Sequence, residues 1–364
     1  MKMRRILTIL VVAAMMCSAL AGCSKGDAQS GVAVKDILDR EVLIPENAEE
    51  FVCIGPGCLR LYTYVADAEK LVGVEDMEKD DMGRPYRMAH PEFGEMEIIG
   101  AGGPRNAPDA EKLLVADPDV IFTTYNSDAA AVDELQEKTG IPVIALGYGN
   151  TAVFDPVVNK SIEIIGEVTS NQERASEVLA YFDELKADME SRVEGVSEES
   201  KPTVYLGAQS MRGMHGIEST SGNFSLFNAI GARNVVDEAG ISEYIMLDKE
   251  ALLEMDPEVI FIDAGGLSLV MEDYNSNPSY YEGLQAVKNG MVFMELPYNY
   301  YSTNIDTAIA DAYFMGSVLY PDQYSDVDPA EKYDEITEKL LGVSLYDGVA
   351  EDYYGGFQQV ILGE

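Results

Sequence analysis

The chain has 364 residues, with 25 Lys and Arg against 64 Asp and Glu, a net charge of −39. That excess of acid is repelled by phosphate backbones and excludes nucleic acid as a partner, while 47% apolar and 24% charged residues exclude a disordered acidic protein. Two His and four Cys leave a zinc site poorly supplied, and the length fits roughly two domains of ~150 residues.

The N-terminus carries Lys2, Arg4 and Arg5, with no acid before Asp27, and then the apolar run Ile6 to Ala14. That run is too short to span a bilayer and reads as a leader. It ends at Leu20, Ala21, Gly22 and Cys23, the order of a bacterial lipobox. The expectation is a signal peptide over 1–22, a lipid anchor on Cys23 and a polar tether over 23–33. Cleavage removes three bases and no acid, so the net charge falls from −39 to −42. Cys53 and Cys58 remain. They either close a small disulfide, which an oxidising compartment permits, or stand as two thiols beside a Gly-Pro-Gly turn. The strand position of Cys53 and the short loop favour thiols.

Phe51 to Ile54 is a short apolar run that stops at Gly55, Pro56 and Gly57, so it reads as a strand and a turn. Leu59 to Ala66 reads as a helix and Leu71 to Val74 as a strand. Val120 to Thr124 and Pro142 to Leu146 are continuously apolar, as a parallel sheet covered on both faces requires. With helices between them, the fold class is α/β.

An internal repeat organises the rest. Residues Asp109 to Phe122 recur as Asp248 to Phe261, with nine of fourteen positions identical at an offset of 139 residues. Each copy reads as a short helix, a break at Asp-Pro and a buried strand. Pro118 and Pro257 stop the helix and predict extended backbone at the residue before them. An offset of one domain length means two lobes, not a solenoid. Between them, apolar residues from Phe154 to Val193 recur mostly every three or four positions and predict a helical connector over 154–195, which Gly166 and Thr169 to Asn171 can divide in two. The expected organisation is an N-terminal lobe over 34–153 and a C-terminal lobe over 196–364, two Rossmann-like lobes crossed once.

The lipobox, the duplicated Asp-Pro-acidic-Val-Ile-Phe strands and the single helical crossing resemble the substrate-binding lipoproteins of ABC importers, in the class that carries ferric siderophores, haem and cobalamin. Val34 to Pro45 is similar to that family's opening hairpin, with Asp39 where Gly is usual, and Thr307 to Pro321 to its closing helix. The resemblance implies a membrane permease dimer as partner, docked by one exposed acid per lobe. The matching positions are Glu111 and Glu250, the third residue of each repeat. Two equivalent acids also suit a two-subunit partner on electrostatic grounds, and both sit where a helix dipole favours acid.

In open α/β lobes, ligands bind beyond the carboxyl ends of the strands. The loops there offer Gly57 and Arg60, Tyr125 with Asn126, Arg212 with His215, Gly265 with Gly266, and the run Tyr298, Asn299, Tyr300, Tyr301. Phenols stack on flat ligands, donate hydrogen bonds or ligate ferric iron. The stretch with Arg84, Arg87 and His90, and Arg105 beyond it, is the densest in base; it is either an anion site or a solvated loop. These features suit an iron complex such as a ferric siderophore, with haem, cobalamin or molybdate as alternatives, and no bound cofactor. No strand-helix elbow carrying Gly-x-Ser-x-Gly and no P-loop is found, so an enzyme is not expected. A metal-cofactor enzyme and a structural surface lipoprotein are the readings outside this class.

Overall fold

The computed structural model describes residues 31–125, 128–149 and 153–363. The leader, the Cys23 anchor, the tether before residue 31 and Asn126 lie outside the described residues. Residues 31–33, expected in the tether, are part of the first strand.

The N-terminal lobe begins with an antiparallel hairpin of β1 (Gly31–Lys35) and β2 (Glu41–Pro45). Asp39 turns it with φ 63, the left-handed backbone that explains why glycine suits this position. Asp36 accepts from the amides of Leu38 and Arg40 and pairs with the Arg40 guanidinium at 2.8 Å, so the turn is tied from within. Then come β3 (Phe51–Ile54), α1 (Cys58–Val65), β4 (Leu71–Glu75), β5 (Ile98–Gly100), α2 (Ala110–Ala116), β6 (Val120–Thr123), α3 (Ala129–Thr139) and β7 (Val143–Ala145). The strands form a wholly parallel sheet in the order β5-β4-β3-β6-β7. β3, β6 and β7 are buried at every position, as their unbroken apolarity demands.

The connector is two helices rather than one, α4 (Pro156–Val168) and α5 (Gln172–Arg192). The break comes at Ser170, φ 60, where the Asn171 amide caps the Gly166 carbonyl at 2.8 Å. α5 has 21 residues and so reaches about 30 Å. It packs on α1 of the first lobe and against the second lobe beyond it.

The C-terminal lobe contains β8 (Thr203–Gly207), β9 (Ser219–Ser221), β10 (Arg233–Asn234), β11 (Tyr244–Met246), α6 (Lys249–Met255), β12 (Val259–Asp263), β13 (Val292–Glu295), α7 (Ile305–Leu319), α8 (Pro329–Leu341) and β14 (Gln358–Gln359). Its sheet runs β10-β8-β12-β13-β14, parallel except for β14 at the edge, while β9 and β11 form a separate antiparallel pair. The repeat is thus α2-β6 and α6-β12, one in each sheet. One correction applies to both copies. Asp117 (φ 49) and Asp256 (φ 37) before the prolines are left-handed, not extended. Each donates its amide to a helix carbonyl, Leu113 or Leu252, and that cap outweighs the usual preference before proline.

One hydrophobic core runs from Val34 through α1 and the connector into the second sheet, and a smaller one of Val52, Ile121 and Val143 lies under Leu113, Val132 and Leu135. Among the described residues no helix is long and apolar enough to cross a membrane.

Candidate functional site: a cleft between the lobes

The carboxyl ends of both parallel sheets bring their loops together, and the residues expected to meet a ligand fall into two groups. Some are partly exposed where the loops meet. Others lie beneath and hold the loops.

Gly57 belongs to the second group. Its φ is 76, and a Cβ there would lie 2.6 Å from the Tyr148 ring. Glycine is therefore required so that Tyr148 can cover this turn, and the Tyr148 hydroxyl donates to the Gly57 carbonyl at 2.8 Å. The expectation of an open glycine loop meets a buried one. Arg60 lies on α1 and is fully buried. Its guanidinium donates to the carbonyls of Tyr300 (2.9 Å) and Thr303 (3.0 Å) and to the Tyr148 hydroxyl (3.2 Å). Cys53 and Cys58 flank this turn as free, buried thiols.

The basic stretch is equally internal. Arg84 and Arg87 are 1% and 2% exposed. Arg84 donates to the Met77 carbonyl and Asp80, lies 3.6 Å from Glu78, and stacks over the Tyr300 and Tyr301 rings at 4.4 and 5.2 Å. Arg87 donates to the carbonyls of Glu78 and His90. Burial pushes the Glu78 carboxyl above its usual range despite the Tyr86 hydroxyl and the three guanidiniums around it. His90 pairs with Glu92 at the far end of α1, beside Thr63 to Ala66. The solvated-loop reading and the anion-site reading both give way here. The sequence shows the charge of these arginines but not Glu78 and the carbonyls folded around them.

Tyr125 and Tyr301 are less buried than these arginines and stand where the loops of the two lobes meet. Tyr125 is half-buried, and its hydroxyl donates to Glu75 (3.2 Å) and to the Gly103 carbonyl (3.1 Å). Glu75 also accepts from the Gly55 amide at 2.7 Å, so one buried carboxyl joins three loops. Burial pushes Glu75 up to about 7 despite these donors. Tyr301 is 36% exposed, and its ring lies over Gly103. The Tyr300 hydroxyl donates to Asp80 across the lobes at 3.1 Å. Tyr298 is buried behind them against Phe224, and burial and Glu295 push its phenol well up.

On the other lobe, His215 donates Nε2 to the Met211 carbonyl at 2.9 Å, which holds its ring within its own loop. Arg212 is exposed, with φ 59 and no ion pair or hydrogen bond among the described residues. Arg105 is likewise exposed and unpaired among the described residues. Each stands two residues from a contact with the tyrosine loop, on opposite lobes. Gly103, two residues before Arg105, touches Tyr301, and the carbonyl of Ser210, two residues before Arg212, accepts from Asn299 at 2.8 Å. Among the described residues no group of three or more His, Cys, Asp or Glu is placed to hold a metal ion.

Glu111 and Glu250 are exposed in the first turns of the equivalent helices α2 and α6. Sequence reasoning did not find Glu75, Glu78, Tyr148 or Asn304. Glu75 alone carried a signal, an acid ending an apolar strand.

A model of the family described as periplasmic binding protein matches residues 52–295. The molybdate-binding protein MolA of Haemophilus influenzae is 24% identical over 331 residues, 85% of this chain and 91% of that protein. The Fe(3+)-citrate-binding protein YfmC of Bacillus subtilis is 21% identical and covers 79% of this chain and 89% of its own. Among solved structures, a periplasmic solute binding protein from Veillonella parvula superimposes with a TM-score of 0.71 at 16% identity, over 89% of this chain and 97% of that one.

Proposed function

The chain belongs to the periplasmic binding protein family, the substrate-binding components of ABC importers, and on that premise we propose that it captures an anionic iron complex in the inter-lobe cleft and delivers it to a permease dimer. The observation that carries this reading is the pair Arg105 and Arg212. In a chain of net charge −39, two exposed arginines without an acidic partner among the described residues stand on facing lobes beside the same tyrosine loop. An anionic ligand supplies the missing charge. Tyr125 and Tyr301 add phenol oxygens, which suit a ferric chelate bearing carboxylates or catecholates. A bare oxyanion is the second reading, favoured by the likeness to the molybdate-binding protein. The reading includes lipid anchoring at Cys23 and docking through Glu111 and Glu250.

A thermal-shift panel of ferric citrate, a ferric catecholate, haem, cobalamin and molybdate tests the ligand class, since a ligand that binds the folded state raises its melting temperature. An anionic iron complex is expected to raise it, and Arg105→Ala with Arg212→Ala to abolish the rise. A shift with molybdate alone selects the second reading. For docking, Glu111→Lys with Glu250→Lys is expected to leave ligand affinity unchanged and to stop uptake. Normal uptake by that variant removes the two acids from the docking surface.

A further inference from the structure

The tyrosine loop belongs to the C-terminal lobe by chain, yet its backbone is held by the N-terminal lobe. Arg60 grips it at the carbonyls of Tyr300 and Thr303, with the Tyr301 carbonyl at 3.5 Å. Asn304, fully buried, donates to the Gly83 carbonyl at 2.9 Å. Between the gripped carbonyls the chain passes through two successive left-handed residues that are not glycine, Tyr301 (φ 48) and Ser302 (φ 77). Such residues are disfavoured and persist only where the surroundings over-determine them. The loop closes on itself through the Asn304 amide to the Tyr298 carbonyl at 2.7 Å, the Tyr300 amide to the Ser302 carbonyl at 3.1 Å and a bridge between Asn299 and Thr303. None of these closing bonds reaches the carbonyls of Tyr300 and Thr303, which Arg60 holds from across the cleft.

We propose that Arg60 is a positioning residue for ligand binding: it does not meet the ligand but holds the Tyr300–Ser302 turn in its left-handed form, which sets the Tyr301 ring over Gly103. The binding surface is then complete only while the two lobes are docked. Separation of the lobes withdraws Arg60 from the three carbonyls, the turn relaxes and the ring leaves the cleft. That gives a physical route by which prising the lobes apart lowers affinity and releases the ligand. The affinity arm of this inference rests on the anionic iron reading; the backbone arm does not.

A buried arginine with a purely structural role would cost stability without regard to the backbone at residue 302. The experiment therefore compares Arg60→Gln with Arg60→Gln combined with Ser302→Gly, since glycine adopts φ near 77 without strain. Two quantities are read: affinity for ferric citrate, and hydrogen exchange of the amides of residues 300–304 in the ligand-free protein. Arg60→Gln is expected to weaken binding about tenfold, the equivalent of the strain of one left-handed residue, and to speed exchange in that segment. The double variant is expected to recover most of the affinity. Unchanged exchange and affinity in Arg60→Gln, or a double variant no better than the single one, overturns the proposal. If Arg60→Gln does not fold, Arg60→Lys, which keeps the charge but cannot span both carbonyls, is judged by the same two readings. Failure of the wild-type protein to bind ferric citrate overturns the ligand reading, and the exchange arm then decides the role of Arg60 alone.

Discussion

The two lobes share a repeat and a parallel sheet but handle buried charge in opposite ways. Behind the N-terminal side of the cleft, Arg60, Arg84 and Arg87 are buried together with Glu78, and carbonyls and the Tyr148 hydroxyl accept from their terminal nitrogens, while Nε of Arg60 and of Arg84 has no hydrogen-bond partner among the described residues. Behind the C-terminal side, Asp263, Glu295 and Asp311 are buried with no ion pair among the described residues. Asp263 accepts from the Ser210 and Gly265 amides and Asp311 from the Leu296 amide, while neither Glu295 oxygen has a hydrogen-bond partner among the described residues. Burial, and the acids' effect on one another, push Glu295 and Asp311 well up. The arginine cluster of the N-terminal lobe neutralises buried charge with opposite charge; the C-terminal acids, like Glu75 in the other lobe, must do so with protons. Net charge therefore says little about what a cleft presents, because the charge that matters is what remains after internal pairing.

The sharpest way to break this comparison is to remove the acid from the basic lobe. Glu78→Ala leaves Arg84 and Arg87 without their shared acid and is expected to destabilise the protein by about 3 kcal/mol; a change below the error of a urea melt would mean that the carbonyls suffice. The reverse change belongs to the other lobe. Glu295→Met removes a buried carboxyl with no hydrogen-bond partner and is expected to stabilise by about 2 kcal/mol at pH 8. The gain should shrink on acidification, since the wild-type carboxyl then no longer has to hold a proton that the unfolded chain has lost. Equal gain at pH 4 and pH 8 would remove the proton from the account.

The smallest effect is a slope. Glu75 has a folded value of about 7 against an ordinary 4.5. Between those values the folded state holds a proton that the unfolded state has released, so stability is full below pH 4.5 and falls as pH rises towards 7. Glu75→Gln is expected to flatten the melting temperature over that window and leave the fall caused by the C-terminal acids. An unaltered slope would assign the whole pH dependence to the other lobe.

Much of the fold was legible because it rests on local pattern. The continuous apolarity of residues 120–124 and 142–146 matched β6 and β7, and the repeat located both α2-β6 and α6-β12. The division of the connector was legible only as an option, since Thr169 to Asn171 break a helix through a left-handed Ser170 that nothing in composition requires. The site was less legible. Tyr125 is half-buried and Tyr301 and Arg212 are exposed, while Gly57, Arg60, Arg84 and Arg87 are buried. Arg60 and Arg87 stand on helices rather than loops, and burial depends on partners such as Tyr148, 88 residues from Arg60, and Glu78, whose carboxyl no local pattern places among the arginines.

By itself the sequence determined the α/β class, the two-lobed duplication and a pair of equivalent exposed acids, because periodicity and repetition are properties of neighbouring residues. Tertiary structure alone decided which of the scarce arginines are free. A guanidinium is disposed of by whatever carbonyl or carboxylate the folded chain brings within hydrogen-bond reach, and for Arg60 that partner lies about 240 residues away.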